Sequence, residues 1–171
     1  MGDVRENTSI WKDLLNLLVK IGLIALVFVL LFTFMFGIAR IEEPSMAPSI
    51  KDGDLVVFYR YAKSGYLPGD VIVLEKNGQR QVKRVVAVAG DMVDITEAGF
   101  LLNGALQFEP EIYQKTERYQ EGVDFPLTVP RGEVFLLGDS RENATDSRIY
   151  GAVRTEETLG KAMIVVRRRN I

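Results

Sequence analysis

Residues 55–89 read LVVFYRYAKSGYLPGDVIVLEKNGQRQVKRVVAVA, a segment that indicates the fold class. It holds three short runs rich in β-branched residues, separated by turn residues. Pro68-Gly69-Asp70 predicts a turn between the first two runs, and Asn77-Gly78 predicts a two-residue hairpin between the second and third. The stretch therefore predicts antiparallel β-structure.

The chain after Arg40 has the same character throughout, with a second hairpin signal at Asn103-Gly104. No helical pattern of ten or more residues lies among the runs, which favours a mainly β fold, an antiparallel barrel or sandwich. Residues 107–131 have weak periodicity and predict a long irregular connection. The predicted strands are residues 55–61, 70–76, 79–89, 92–96, 100–102, 133–137 and 161–167.

An apolar segment precedes this domain. Residues 21–39 read IGLIALVFVLLFTFMFGIA, without a charge and with Thr33 as the only polar side chain. A helix of this length is roughly 28 Å long, close to the hydrocarbon thickness of a bilayer. We therefore expect one transmembrane helix and the lipid bilayer as a partner.

The charges around the segment predict its orientation. Basic residues precede it, whereas Arg40 is followed at once by Glu42 and Glu43. The positive-inside rule places residues 1–20 in the cytoplasm and the domain of residues 40–171 outside the plasma membrane.

A signal peptide is the alternative interpretation of this segment. Gly37 and Ala39 are small residues at the −3 and −1 positions of a possible cleavage site after Ala39. The apolar run is longer than the usual 7–15 residues of a signal-peptide core, which favours an anchor.

The composition excludes several functional classes. The 171 residues contain no Cys and no His, so His-assisted hydrolysis, disulfides and His or Cys metal sites are excluded. We expect no cofactor and no metal. The formal charge of −2 supplies no strong positive field, so no nucleic-acid partner is expected. The basic residues 167–169 are too few for a lipid-binding cluster and predict a solvated tail.

Without His, a hydrolytic nucleophile needs another base, and a neutral lysine can serve. Lys83 is the best candidate. Strand alternation places its side chain on an uncharged face with Val85, Ala87 and Ala89, and burial there disfavours the ammonium form. The alternative is a lysine that reaches solvent from a strand edge. Lysines beside turns, among polar residues or at strand ends are predicted to lie on the surface: Lys51, Lys63, Lys76, Lys115 and Lys161.

The candidate nucleophile is Ser45, in the segment EPSMAPS of residues 43–49. The prolines predict an extended, irregular backbone that can expose an N–H group beside the hydroxyl. A linker at the membrane exit is the alternative interpretation.

Four blocks of sequence together resemble the type I signal peptidase family of membrane-anchored Ser/Lys endopeptidases. The resemblance runs from about residue 20 over most of the chain, and the order and spacing of the blocks carry it. The blocks are PSMAPS at 44–49, GDLVV at 53–57 with PGDVI at 68–72, KRVVAVAGD at 83–91, and VPRGEVFLLGDSRENATDSR at 129–148.

The resemblance implies a serine endopeptidase that removes signal peptides from exported preproteins after small residues at −3 and −1. Ser45 would attack the scissile carbonyl, neutral Lys83 would take its proton, and the Ser45 N–H would bind the oxyanion. Positions that match supporting residues of the family are Arg84, Asp139, Arg141, Asp146, Ser147 and Arg148.

Two residues depart from the family pattern. Glu43 stands where many relatives have a small or hydroxyl residue that helps the oxyanion hole, and an ionised carboxylate cannot donate there. Ala144 stands where several relatives have a serine that orients the lysine amine, a role for which Thr145 or a water is the substitute. We therefore expect activity with weaker orientation of Lys83.

Two further functions stay open. One is a non-catalytic relative that acts as an assembly factor or chaperone for exported surface proteins or pili, although Ser45 and Lys83 are both present here. The other is a Ser/Lys autoprotease of the repressor-cleavage kind. Members of that class are soluble, so the apolar segment argues against it.

Overall fold

The computed structural model describes residues 3–167 and divides into two compact units, Met1–Phe36 and Gly37–Ile171. The first unit is built on the helix α1, Asp3–Met35. An 18-residue window within its segment Ile10–Met35 has a mean hydropathy of 2.8, and the segment is long and apolar enough to cross a membrane. The hydroxyl of Thr33 donates to the carbonyl of Val29 at 2.7 Å, so this polar side chain is satisfied within the helix.

The apolar segment ends differently from the prediction. The predicted span reaches residue 39, whereas α1 stops at Met35 and Phe36–Arg40 form the first strand, β1. Ala39 is fully buried in the core of the second unit. A Cβ atom on Gly37 would lie 2.3 Å from the ring of Phe58, so glycine permits the close approach of β1 to that ring.

The second unit contains two sheets of short strands. After β1, the strands are β2 (Leu55–Tyr59), β3 (Val71–Lys76), β4 (Gln79–Val88), β5 (Met92–Thr96), β6 (Gly99–Leu102), β7 (Ala105–Leu106), β8 (Leu127–Thr128), β9 (Glu133–Leu137), β10 (Val153–Arg154) and β11 (Thr158–Val166). The larger sheet has the order β1-β2-β11-β3-β4-β9-β10, and the smaller has the order β7-β6-β5-β8. One further short helix, α2, is Ser147–Tyr150.

The predicted fold class, a mainly antiparallel β-domain after one apolar helix, is confirmed. Neighbouring strands such as β3 and β4, β4 and β9, and β11 and β2 pair antiparallel. All seven predicted strands form, and the prediction missed four others, β1, β7, β8 and β10. Three of these four are only two residues long, so they are too short to show a period.

Both predicted Asn-Gly hairpins are confirmed. Asn77 and Gly78 have φ angles of 54° and 75°, and Asn103 and Gly104 have 53° and 81°. These left-handed conformations suit the twist of a tight antiparallel hairpin. The first hairpin fixes the register of β3 against β4, and this register pairs Ile72 with Lys83.

The predicted irregular connection has little regular secondary structure. Between β7 and β9, residues 107–132 contain only the two-residue strand β8. Arg167 is exposed, and the rest of the predicted basic tail, residues 168–169, lies outside the described residues.

Candidate active site

Ser45 lies in a turn between β1 and β2. The Ala47 N–H donates to the Pro44 carbonyl at 3.0 Å, so the segment is turned rather than extended as predicted. The Ser140 N–H donates to the Ser45 carbonyl at 2.9 Å and ties this turn to the block that follows β9. Ser45 is only 1% exposed.

Lys83 lies in the middle of β4, between β3 and β9, and no part of its side chain is exposed. Its Nζ atom is 2.8 Å from the Oγ atom of Ser45. The structure therefore brings the two predicted catalytic side chains together and excludes a lysine that reaches solvent.

The prediction that Lys83 shares one face of its strand with three apolar residues is only partly correct. A β-bulge between Val85 and Ala87 shifts the register of β4 against β9. As a result Val85 packs in the core cluster around Ile72 and Leu136, whereas Ala87 packs in a different cluster. Ala89 lies beyond the end of β4.

Glu43 makes a contact that the sequence did not predict. Its Oε1 atom accepts hydrogen bonds from Lys83 Nζ at 2.6 Å and from the Val82 N–H at 3.2 Å. The expectation from the family pattern concerned the oxyanion, but this carboxylate lies against the lysine amine. No local pattern could have revealed the contact, because 40 positions separate the two residues in the sequence.

Two opposing effects act on the lysine. Burial lowers the pKa of Lys83 below the ordinary lysine value, and this is the largest effect because desolvation penalises the ammonium form. The charge and hydrogen bond of Glu43, and the charge of Asp146, act to raise the pKa. The net direction is downward, so the amine loses its proton at a lower pH than an ordinary lysine.

Gly138 allows the last sequence block to approach the Ser45 turn. A Cβ atom at this position would lie 2.6 Å from the Ser45 carbonyl oxygen and 2.4 Å from Ala144 Cβ. The Gly138 N–H donates to the carboxylate of Asp146 at 3.0 Å. Glycine is therefore required for the backbone contact that holds the nucleophile segment.

Asp146 and Arg148 form a buried ion pair. The Arg148 Nε atom donates to Asp146 Oδ1 at 2.9 Å, and the same carboxylate caps α2 by accepting from the Arg148 N–H. Arg148 also donates to the Arg141 carbonyl at 2.6 Å and stacks over the Tyr119 ring. The Leu136 N–H donates to the Ser147 hydroxyl at 3.0 Å, which joins α2 to β9.

The other two predicted arginines also have carboxylate partners. Arg84 donates two hydrogen bonds to Asp139, at 2.8 and 2.7 Å. Arg141 is buried and donates two to Glu109, at 2.8 and 2.5 Å, and one to the hydroxyl of Thr116. Glu109 and Thr116 belong to the long connection, so Arg141 pins this segment to the site.

Thr145, one of the two predicted substitutes for the missing serine, is not in place. Ala144 is buried, and Thr145, which was expected to help orient the lysine, is exposed. The amine is instead held by Glu43 and Ser45.

The surroundings of the site are polar on one side. A cavity of about 390 Å³ borders Glu43 and is lined by charged and amide side chains together with one glycine: Arg40, Glu42, Glu43, Gly78, Gln79, Arg80 and Gln81. Among residues 3–167, no group of three or more acidic side chains is arranged to hold a metal ion.

The sequence of this chain is similar to those of known proteins. The pattern of the family described as signal peptidase, peptidase S26, matches residues 14–167. Signal peptidase IB of Staphylococcus aureus is 30% identical over 167 residues, which cover 88% of this chain and 87% of the relative. Signal peptidase I U of Bacillus subtilis (strain 168) is 35% identical over 117 residues, 63% of each chain.

A crystal structure of a signal peptidase I from Enterococcus faecalis V583 is 28% identical, with a TM-score of 0.47 over 57% of this chain and 96% of that chain. The match to the family pattern spans the apolar helix, the Ser45 turn, β4 and the block after β9. The chain therefore belongs to the signal peptidase family, peptidase S26.

Proposed function

We propose that this protein is a signal peptidase I that cuts signal peptides from exported preproteins, with Ser45 as nucleophile and Lys83 as general base. The observation that carries the proposal is the 2.8 Å contact between Ser45 Oγ and the fully buried Lys83 Nζ. A neutral amine at this distance can accept the hydroxyl proton directly.

The proposed reaction has two stages. As Ser45 Oγ attacks the scissile carbonyl carbon, its proton moves to Lys83 Nζ, and the resulting ammonium protonates the leaving amine when the C–N bond breaks. Water then attacks the acyl-enzyme ester while Lys83 accepts its proton, and Lys83 returns that proton to Ser45 Oγ as the ester C–O bond breaks. The Ser45 N–H is proposed to bind the negative oxygen in both stages.

The substrate class follows from the family. We propose that the substrate pairs as an extended strand and places small residues at −3 and −1 beside the site. No cofactor takes part in this scheme.

The helix α1 supports a membrane location. We propose that α1 crosses the plasma membrane once, with the amino terminus in the cytoplasm, because basic residues precede the span and Glu42 and Glu43 follow it. A tethered site meets the apolar helix of a membrane-inserted signal peptide with part of the encounter entropy removed in advance.

One observation favours a second candidate function. The 2.6 Å contact of Glu43 with Lys83 is a buried ion pair when the amine is charged, and such a pair would also serve a non-catalytic assembly factor. If the protein acts in this way, a Lys83→Ala variant will rescue a deletion strain as fully as the wild type does. Failure of that variant to rescue will favour the enzyme.

Incubation with a preprotein tests the enzyme directly. Detergent-solubilised wild-type protein is expected to cut a preprotein bearing an Ala-x-Ala site, and mass spectrometry of the product should place the cut after the second Ala. Ser45→Ala, which removes only the hydroxyl, is the matched control. Equal, background-level cleavage by both proteins would refute the proposal.

A further inference from the structure

Glu43 is fixed in place by more than its contact with the lysine. The same Oε1 atom accepts from Lys83 Nζ and from the Val82 N–H, two successive residues of β4. A backbone donor in a paired strand cannot move away, so it anchors the carboxylate beside the amine. The Glu43 side chain is 22% exposed, whereas that of Lys83 is fully buried.

The second carboxylate near Lys83 is already engaged. Asp146 accepts three hydrogen bonds from Arg148 and a fourth from the Gly138 N–H. The other charged groups around Glu43 are Arg40, Glu42 and Arg80, across the polar cavity. Burial, with the charges of Asp146 and Glu43, raises the pKa of the Tyr150 phenol. Glu43 is thus the carboxylate in direct contact with the lysine amine.

A neutral amine has two N–H groups and one lone pair, and the contacts of Lys83 fit this inventory. If one N–H donates to Glu43, the lone pair is free to face the Ser45 hydroxyl, 2.8 Å away. After proton transfer the site holds a buried ammonium, which is costly without a partner, and the carboxylate at 2.6 Å offsets that cost. The three groups correspond to a nucleophile, a general base and a carboxylate that orients the base.

We propose that Glu43 is a positioning residue of this site, whose carboxylate holds the Lys83 amine against Ser45 and pairs with the ammonium formed by proton transfer. The inference rests on the proposed peptidase function. It assigns to Glu43 a favourable role, in place of the unfavourable one expected from its position in the sequence.

The charge of Glu43 should affect the pH–rate profile, which a purely structural role would not do. It stabilises the ammonium form and so places the acid limb of the pH–rate profile at higher pH. Removing the charge should therefore move the acid limb to lower pH, while also slowing proton transfer because the ammonium loses its partner. A residue that only supports the fold would change stability and leave the limb in place.

The test compares pH–rate profiles of Glu43→Gln and Glu43→Ala with the full-length wild type, on the Ala-x-Ala preprotein in detergent. Glutamine keeps a side-chain oxygen that can accept from Val82 and Lys83 but removes the charge. For Glu43→Gln we expect the acid limb to shift to lower pH by about one to three pH units. We expect kcat at the alkaline plateau to fall roughly tenfold, with KM within about twofold. Glu43→Ala should lose more kcat, because it also removes the orienting acceptor.

Glu42→Gln is the matched control. Glu42 is an exposed neighbour whose contact with Arg40 is 4.0 Å long, and its profile should coincide with that of the wild type. Thermal melting establishes that each variant is folded. Profiles of Glu43→Gln that coincide with the wild type, or a higher kcat in the variant, would overturn the inference alone. A wild type that does not cleave would overturn the proposed function and this role with it.

Discussion

Replacing Lys83 by methionine is expected to lower kcat/KM for preprotein cleavage by about 10⁴-fold or more, without loss of folded stability. Methionine is similar in length and apolar, so it fills the buried position in β4 but offers no base to Ser45. Because burial disfavours the ammonium of Lys83, its removal should leave the thermal midpoint unchanged or higher. Loss of activity with retained stability would identify Lys83 as a residue that acts in catalysis rather than in folding.

The matched control for this variant is Lys51→Ala. Lys51 follows Ser45 closely in the sequence, but its side chain is exposed. We expect cleavage by this variant to equal that of the wild type within about twofold. The chemical assignment fails if Lys83→Met retains most of its cleavage rate.

The second large effect concerns stability. Asp146→Ala is expected to lower the free energy of unfolding by about 3–5 kcal/mol, because it leaves the buried guanidinium of Arg148 without its carboxylate. The substitution also removes the acceptor of the Gly138 N–H and the cap of α2. Urea unfolding of the solubilised protein, followed by circular dichroism, measures the change.

An exposed ion pair provides the comparison. Lys115 and Glu117 lie 3.7 Å apart, with side chains 54% and 71% exposed. Lys115→Ala should change the free energy of unfolding by no more than about 0.5 kcal/mol. If Asp146→Ala is as stable as Lys115→Ala, the buried pair does not hold the block after β9 in place.

Much of the fold could be predicted from local chemistry. The Asn-Gly pairs determine two hairpins by their tolerance of positive φ, and β-branched runs mark the long strands. The boundary of the apolar helix could not be placed, because Phe36 to Ala39 continue the apolar run without a break. The pairing of β1 with β2 and the burial of Ala39 in the core of the second unit distinguish these residues as a strand.

The candidate site likewise contains residues that could be predicted from the sequence and residues that could not. Lys83 was identifiable because strand alternation places it on a face that carries no other charge, and Ser45 because of its proline-flanked segment. The partner Glu43 was not, since its contact with Lys83 forms only when the turn before Ser45 packs against β4. The bulge at Val85 and Ala87 was equally hidden, because it depends on the pairing with β9 rather than on local sequence.

The proposed mechanism requires the Lys83 amine to be neutral when Ser45 attacks, and titration of that amine shows whether it is. The ¹³Cε resonance of Lys83, assigned by its absence from Lys83→Met, can be followed against pH in the solubilised protein. We expect a midpoint below the ordinary lysine value of 10.5 that coincides with the acid limb of kcat/KM, with activity rising as the amine loses its proton. A midpoint at or above 10.5, or cleavage that is independent of pH across that midpoint, would contradict the account.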